Sequence, residues 1–236
     1  AIDVGGTGLK ASVLDRAGKM LVERVRVATP YPCRPDILLP AIAGLATKLP
    51  AFDRISIGFP GVVRDGRVIT APHFDRDAWR DYPLQDALAR QFGKPARLLN
   101  DAEVQGLGII AGRGLELVLT LGTGAGTALF RDGALMPHLE LAQHPIHKHK
   151  TYNDYIGDKA LKDHGKKKWN NRLCKTIEIL HSLLHYDTLY LAGGNAVHVE
   201  LELPQNVKIG SNAAGITGGV HLWDAEFVVS RRRRDA

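Results

Sequence analysis

Two cysteines in 236 residues, Cys33 and Cys174, are too few and too far apart for a disulfide framework. No C-x-x-C spacing offers a cysteine zinc site either, so a reducing cytoplasm is the expected compartment. Long apolar runs are also missing: nothing approaches the roughly 20 residues that cross a bilayer, which leaves no expectation of a membrane partner. The chain opens on the strand-like Ala1-Ile2-Asp3-Val4 and not on a secretory leader, an abrupt start that suggests a few residues precede it. Low-complexity sequence is confined to Arg231–Arg234, read as a frayed tail. Charge of one sign is scarce overall, since 31 Lys+Arg against 25 Asp+Glu leave +6. The excess lies between Lys148 and Lys175 and in the terminal arginines, so its distribution says more than its sum.

What the chain does have is one turn used twice. Asp3-Val4-Gly5-Gly6-Thr7-Gly8-Leu9-Lys10 and Leu121-Gly122-Thr123-Gly124-Ala125-Gly126-Thr127 each lie between apolar runs of β type. Glycine supplies positive φ and close backbone approach, so successive N–H groups can converge on an anion. An empty hairpin turn accounts for one such segment. Two, each with a threonine and the first with an acidic neighbour, favour a pair of phosphate cradles. The echo continues into Val13-Leu14-Asp15-Arg16-Ala17-Gly18 and Leu129-Phe130-Arg131-Asp132-Gly133, about half the chain apart. That scale implies two related halves and not a solenoid, whose repeats run to roughly 20–50 residues.

The length accommodates two lobes of about 110 residues each, expected at 1–112 and 113–236. The first reads as a three-strand meander from Ala1 to Val27, helices over Asp36–Leu49, Pro83–Phe92 and Ala102–Ala111, and strands at Arg54–Phe59 and Arg97–Leu99. An Asn100 or Asp101 side chain is expected to cap the third helix. The second reads as a hairpin over Glu116–Phe130, helices over Tyr152–Leu161, Asn171–His185 and Ala213–Leu222, and a strand at Asp187–Leu191. Strands interleaved with helices in both halves predict an α/β fold with a mixed sheet per lobe and ligand between the lobes.

In this order and spacing, Asp3-x-Gly5-Gly6-Thr7, Asn100-Asp101, Leu121-Gly122-Thr123-Gly124 and Leu191-Ala192-Gly193-Gly194-Asn195 resemble the motifs of the ROK (repressor, open reading frame, kinase) sugar kinases. The resemblance covers essentially the whole chain. It implies a two-lobe ribonuclease-H-like fold of the actin and hexokinase superfamily, with an active-site cleft between the lobes. Gly58-Phe59-Pro60-Gly61-Val62-Val63, Thr70-Ala71-Pro72, Lys150-Thr151-Tyr152 and Gly165-Lys166-Lys167-Lys168-Trp169-Asn170 are similar to a narrower branch, the polyphosphate glucokinases. That branch implies transfer of a phosphoryl group from inorganic polyphosphate, sometimes ATP, to the 6-hydroxyl of glucose.

On this resemblance Asp101 is the candidate general base, with a plain helix cap as the bland alternative. Asn100, Glu140, Pro60 and Gly61 face the sugar. Gln143 stands where the family's Glu-x-Gly-His motif has histidine, and His144 follows one position late, so both are candidates for sugar contact. Gly5, Gly6, Thr7, Gly8, Gly122, Thr123 and Gly124 cradle phosphates, Gly193, Gly194 and Asn195 form the donor-side loop, and Asp3 positions Mg²⁺. Lys10 either approaches a phosphate or lies on a solvated strand edge. Zinc is not expected: the relatives' cysteines are missing, and His144, His147 and His149 have no matching ligands. Lys150, Lys166, Lys167 and Lys168, with their basic neighbours, form an expected polyphosphate path, against an ordinary solvated surface. Trp169 reads as a packing anchor more readily than a base-stacking platform. A homodimer is implied. The alternatives are a strictly ATP-dependent hexokinase of the family, a non-catalytic sugar sensor, and an RNA-binding module; no nucleic-acid motif accompanies the basic face, which argues against nucleic acid.

Overall fold

Strand β1 (Ile2–Val4) buries Ile2 and Val4 and leaves Asp3 half-buried between them, the period of two that separates a core face from a polar one. It pairs antiparallel with β2 (Gly8–Ala11), which pairs antiparallel with β3 (Val25–Ala28). This is the meander expected from the sequence. The computed structural model describes residues 1–224, so Arg231–Arg234 lie outside the described residues.

Helix α1 (Pro35–Ala46) begins on proline, where a missing N–H costs nothing, and buries Leu38, Ile42 and Leu45. The chain then enters β4 (Ile55–Phe59), every residue of which is buried. A small hairpin of β5 (Val63–Arg64) and β6 (Arg67–Val68) follows, then α2 (Arg76–Trp79) and α3 (Leu84–Phe92), closed by left-handed Gly93. Trp79 is fully buried beside Phe59 and donates its indole N–H to Cys33 O at 2.8 Å. Strand β7 (Ala96–Asn100) runs parallel to β4, and α4 (Asp101–Leu107) follows without a linker. The first sheet has the order β3-β2-β1-β4-β7.

The second sheet is β10-β9-β8-β13-β14, built from β8 (Leu115–Leu121), β9 (Ala125–Arg131), β10 (Ala134–Leu135), β13 (Thr188–Ala192) and β14 (Val207–Ile209). In each sheet the first strand is central, the second pairs antiparallel with it and the third antiparallel with the second, and the last two are parallel to the first. The halves read from the sequence therefore share one topology. Between β10 and β13 come β11 (Pro145–His147), β12 (Lys150–Thr151), α5 (Tyr152–Ile156) and α6 (Asp158–Leu184). Trp169 is fully buried and donates to Ile156 O at 2.8 Å, a packing anchor.

Several expectations needed correction. Contacts divide the chain into Ala1–Gly108 with the segment from Ala213, and Ile109–Asn212, not at 112. Helix α7 (Ala214–Thr217) and a 3-10 turn (Gly218–Trp223) pack on α4 in the first unit, where small residues meet: a Cβ on Gly108 would stand 3.0 Å from Gly218 Cα. The expected helix to Ala111 stops at Leu107, with Gly108 as its C-cap. Residues 162–170 are helical apart from a break at Gly165 (φ 73°, ψ 163°), because lysine is a good helix former.

Candidate active site

Asp3 and Lys10 are direct partners across the β1–β2 pair, and their side chains form an ion pair at 2.9 Å. The first glycine turn between them closes with Gly5 N–H donating to Gly8 O at 3.1 Å. Positive φ is not what the glycines supply here: neither Gly5 nor Gly8 lies in the left-handed region. Their contribution is lack of a side chain, since a Cβ on Gly8 would stand 2.8 Å from the Arg26 Nε. Thr7 is exposed, and the N–H groups of Gly6 and Thr7 meet no acceptor among the described residues.

Asn100 and Asp101 sit where β7 passes directly into α4. Asn100 is 5% exposed and is the cap: its Oδ1 accepts from Ala102 N–H at 2.9 Å and Glu103 N–H at 3.4 Å, while Glu103 accepts from Asn100 N–H. Its amide donates to Gly61 O at 3.0 Å, which fixes the Phe59-Pro60-Gly61 bend. Asn100 thus spends its polar atoms on the bend and on the helix. Gly61 has no room for a Cβ, which would run into Thr70 O. Asp101 is half-buried as the first residue of α4, with Oδ1 accepting Ala102 N–H at 2.9 Å, where the helix dipole favours a carboxylate. Close packing of α4 on β4 holds it there: a Cβ on Gly58 would stand 3.3 Å from Asp101 Cα.

In the second unit the β8–β9 turn holds the corresponding place, closed one residue more tightly. Gly122 N–H donates to Gly124 O at 3.0 Å, Gly122 is again outside the left-handed region, and Thr123 and Gly124 N–H meet no acceptor among the described residues. Gly193, in contrast, is left-handed at φ 85°, and a Cβ on it would stand 2.5 Å from Leu121 O. The Gly193-Gly194-Asn195 loop therefore lies directly on the second turn, and Asn195 Nδ2 donates to Gly122 O at 3.4 Å. Asp158 N–H at 2.8 Å shares that carbonyl, and Asn153 Oδ1 accepts from Ala125 N–H at 2.7 Å. Asn153 was not found from the sequence; its position just inside the Thr151 cap of α5 was the available signal.

Glu140 holds its own loop, accepting from Ala142 N–H at 3.1 Å and facing His138 Nε2 at 3.4 Å. Gln143 and His144 are exposed on that loop, which is tied to α5 through Tyr152 N–H on His144 O and Asn153 N–H on Ala142 O. Another residue missed was Glu116. It is fully buried and accepts from Ala111, Gly112 and Arg113 N–H and from the Tyr190 hydroxyl, so it shapes the first residues of the second unit.

The basic segment divides. Lys159 and Lys162 pair with Asp163 and Asp158, and Lys166 with Glu200. The imidazole of His164 is held below its ordinary pKa by burial first and then by the charges of Arg172, Lys168 and Lys150, with Asp163 opposing them. Arg172 lies over the Tyr155 ring at 5.1 Å, with the His147 ring 5.6 Å away on Tyr155. Lys167 is exposed.

Among the described residues no group of three or more His, Cys, Asp or Glu is placed to hold a metal. A Mg²⁺ ion held by one carboxylate, its own waters and substrate phosphates needs no such group, so Asp3 beside the first turn fits it. Among the described residues no helix is long and apolar enough to cross a membrane.

Two sheets of one order, each opening on a glycine turn, are the architecture of the actin and hexokinase class of phosphoryl-transfer proteins. The sequence matches the ROK family over residues 1–138, and the chain belongs to that family. It is 29% identical to a polyphosphate glucokinase of Mycobacterium tuberculosis (strain ATCC 25177 / H37Ra), across 82% of this chain and 76% of that protein. The inorganic polyphosphate/ATP-glucomannokinase of Arthrobacter sp. strain KM superposes with a TM-score of 0.86 at 28% identity, covering 97% of both chains. A ROK family glucokinase from Streptomyces griseus, solved with glucose and AMPPNP, shares the fold at a TM-score of 0.77 and 19% identity, over 94% of this chain and 97% of that one.

Proposed function

We propose that this chain is a sugar kinase that moves a phosphoryl group from inorganic polyphosphate, with ATP as a second donor, to the 6-hydroxyl of glucose. The observation that carries the reading is the repeated turn: two equivalent positions in two equivalent sheets each present a pair of backbone N–H groups without acceptors. Such donors are preorganised for phosphate oxygens and cost no rearrangement as charge develops.

Asp101, rigid at the start of α4, takes the proton from glucose O6 as that oxygen bonds to the terminal phosphorus. The bond from phosphorus to the bridging oxygen breaks, and the shortened polyphosphate, or ADP, leaves with its electron pair. Asn100 sets the Pro60-Gly61 bend against the sugar, and Glu140, Gln143 and His144 supply further hydroxyl contacts. Gly193, Gly194 and Asn195 hold the donor side. Mg²⁺, held through Asp3, supplies neutralisation of phosphate charge, and Lys10 keeps Asp3 oriented. Lys150, Lys167, Lys168 and Arg172 carry the length of the polyanion; Lys166 does so only by leaving Glu200. A cytoplasmic homodimer completes the reading, and two unpaired thiols fit it.

The ion pairs on Lys159, Lys162 and Lys166 favour a second reading, an ATP-only kinase. Glucose 6-phosphate production, measured with polyphosphate and ATP at matched concentrations over a salt series, separates the two. Polyphosphate turnover that falls steeply with salt is expected, because counterion release drives polyanion binding; ATP-only turnover selects the second reading. Asp101→Asn is expected to lower turnover at least about a hundredfold while glucose binding persists; more than a tenth of wild-type turnover retained rejects Asp101 as base. Glucose binding with no product from either donor selects a sugar sensor.

A further inference from the structure

The first turn is held by one short stretch of chain that takes no other part in the site. Thr29 Oγ1 donates to Gly5 O at 2.6 Å, the Tyr31 hydroxyl donates to Gly6 O at 2.6 Å, and Thr29 N–H donates to Thr7 O at 3.4 Å. Three successive carbonyls are thereby drawn to the same stretch. The Gly5–Gly6 and Gly6–Thr7 peptides are trans, and a planar trans peptide points its C=O and its N–H in opposite directions. Gly5 O shares a plane with Gly6 N–H, and Gly6 O shares one with Thr7 N–H. Drawing those two oxygens towards Thr29 and Tyr31 therefore turns outward the two N–H groups that meet no acceptor.

We propose that Thr29 and Tyr31 are positioning residues that aim the Gly6 and Thr7 N–H groups at an oxygen of the phosphoryl donor. The inference rests on the kinase reading above. Packing does not account for Tyr31: the residue is 62% exposed and its ring meets Phe74 only edge-on at 6.3 Å, so the bond from its hydroxyl to Gly6 O is its main tie to the turn. Thr29 is buried at 6% exposure just beyond β3, with its hydroxyl committed to Gly5 O. The second turn uses the same device with other residues. Gly122 O shares a plane with Thr123 N–H, and that oxygen is held by Asn195 and Asp158. Aiming by the carbonyl is thus common to both turns, while the residues that do it differ.

The test is Tyr31→Phe, which keeps the ring and removes only the hydroxyl, with Thr29→Val and Thr29→Ser beside it. Steady-state kcat and KM are measured separately for glucose and for the phosphoryl donor, with a thermal unfolding midpoint for each variant. For Tyr31→Phe, loss of one neutral hydrogen bond is expected to raise the donor KM about three- to tenfold and leave the glucose KM within about twofold. Thr29→Val shifts the donor KM the same way, and Thr29→Ser, which keeps the hydroxyl, restores it. An unchanged donor KM in Tyr31→Phe, or equal rises in both KM values, overturns the inference even if Thr29→Val fails to fold. Wild-type protein that uses neither polyphosphate nor ATP overturns the kinase reading and the inference together; wild-type activity matched by Tyr31→Phe overturns the inference alone.

Discussion

Cys33 is 1% exposed, and burial pushes its thiol up to about 12 from an ordinary value of 9.0. Cys174, in contrast, is exposed on α6. The sign of the stability effect follows from proton binding. Between pH 9 and 12 the folded chain keeps the Cys33 proton while the unfolded chain releases it, so folding loses stability as pH rises through that window. Tyr186, pushed up to about 12 by burial from 10.0, adds to the loss above pH 10. At pH 10 the Cys33 share amounts to about 1.4 kcal/mol relative to neutral pH. Urea unfolding at pH 7.5 and 10 is expected to show this extra loss in the wild type and to lack it in Cys33→Ala. The same pH dependence in both proteins rules Cys33 out as its source. Other single residues act through geometry alone, as Gly193 does where a Cβ has no room beside Leu121, or through hydrogen bonds, as Glu116 does by holding three N–H groups and a hydroxyl.

Among the elements, α6 carries the least expected feature, a single glycine in the middle of its basic segment. Gly165 has φ 73° and ψ 163°, a region essentially closed to side-chain-bearing residues, yet a Cβ there would meet nothing within 4 Å. The cost of Gly165→Ala is therefore conformational and not steric, about 1–3 kcal/mol. Denaturant unfolding measures it. Unchanged stability means that α6 has straightened, which removes the break as a fixed feature. The sequence displayed the lysines but not the break, because glycine in a polar run reads equally well as loop, linker or helix interruption. Elements that announce themselves locally were legible: the meander, the β8–β9 hairpin, and a cap from Asn100 or Asp101 at the start of α4, which the structure assigns to Asn100. Those that depend on distant partners were not. Val207-Lys208-Ile209 becomes β14 only because β13 lies beside it, and β5 and β6 are two residues each. The two glycine turns are local signals in the sequence, whereas the hydrogen bonds that Thr29, Tyr31 and Asn153 make to the backbone in and beside those turns are not, since each partner is more than twenty residues away.

At the scale of the whole molecule, the two sheets are repeats of one topology, but the chain is not a simple tandem. After Asn212 it returns to the first unit, where α7 and the 3-10 turn cover α4 with Ala214, Ile216 and Leu222, each at most 1% exposed. Hydrogen bonds fasten the return: Ser56 Oγ donates to Gly219 O at 2.6 Å and accepts from Trp223 Nε1 at 2.8 Å, and Arg97 reaches Leu222 O while its guanidinium lies over the Trp223 ring at 4.2 Å. Local sequence holds no sign of such a crossing, which is why the second lobe was expected to run to the end. Ile216 and Leu222 alone contribute about 1.5–3 kcal/mol each by burial, a large part of the roughly 5–15 kcal/mol that holds a domain. A chain ending at Asn212, compared with one ending at Asp224, is therefore expected to lose hydrogen-exchange protection in β4, β7 and α4 while β8 and β13 keep theirs. Ser56, 7% exposed, would lose both its partners, and Val104 would lose the glycine surface of Gly218 that lies on it. Equal protection of β4 and β7 in the two chains would mean that the first unit is complete without its returning segment. Loss in all five strands and helices together would mean that the units do not unfold separately.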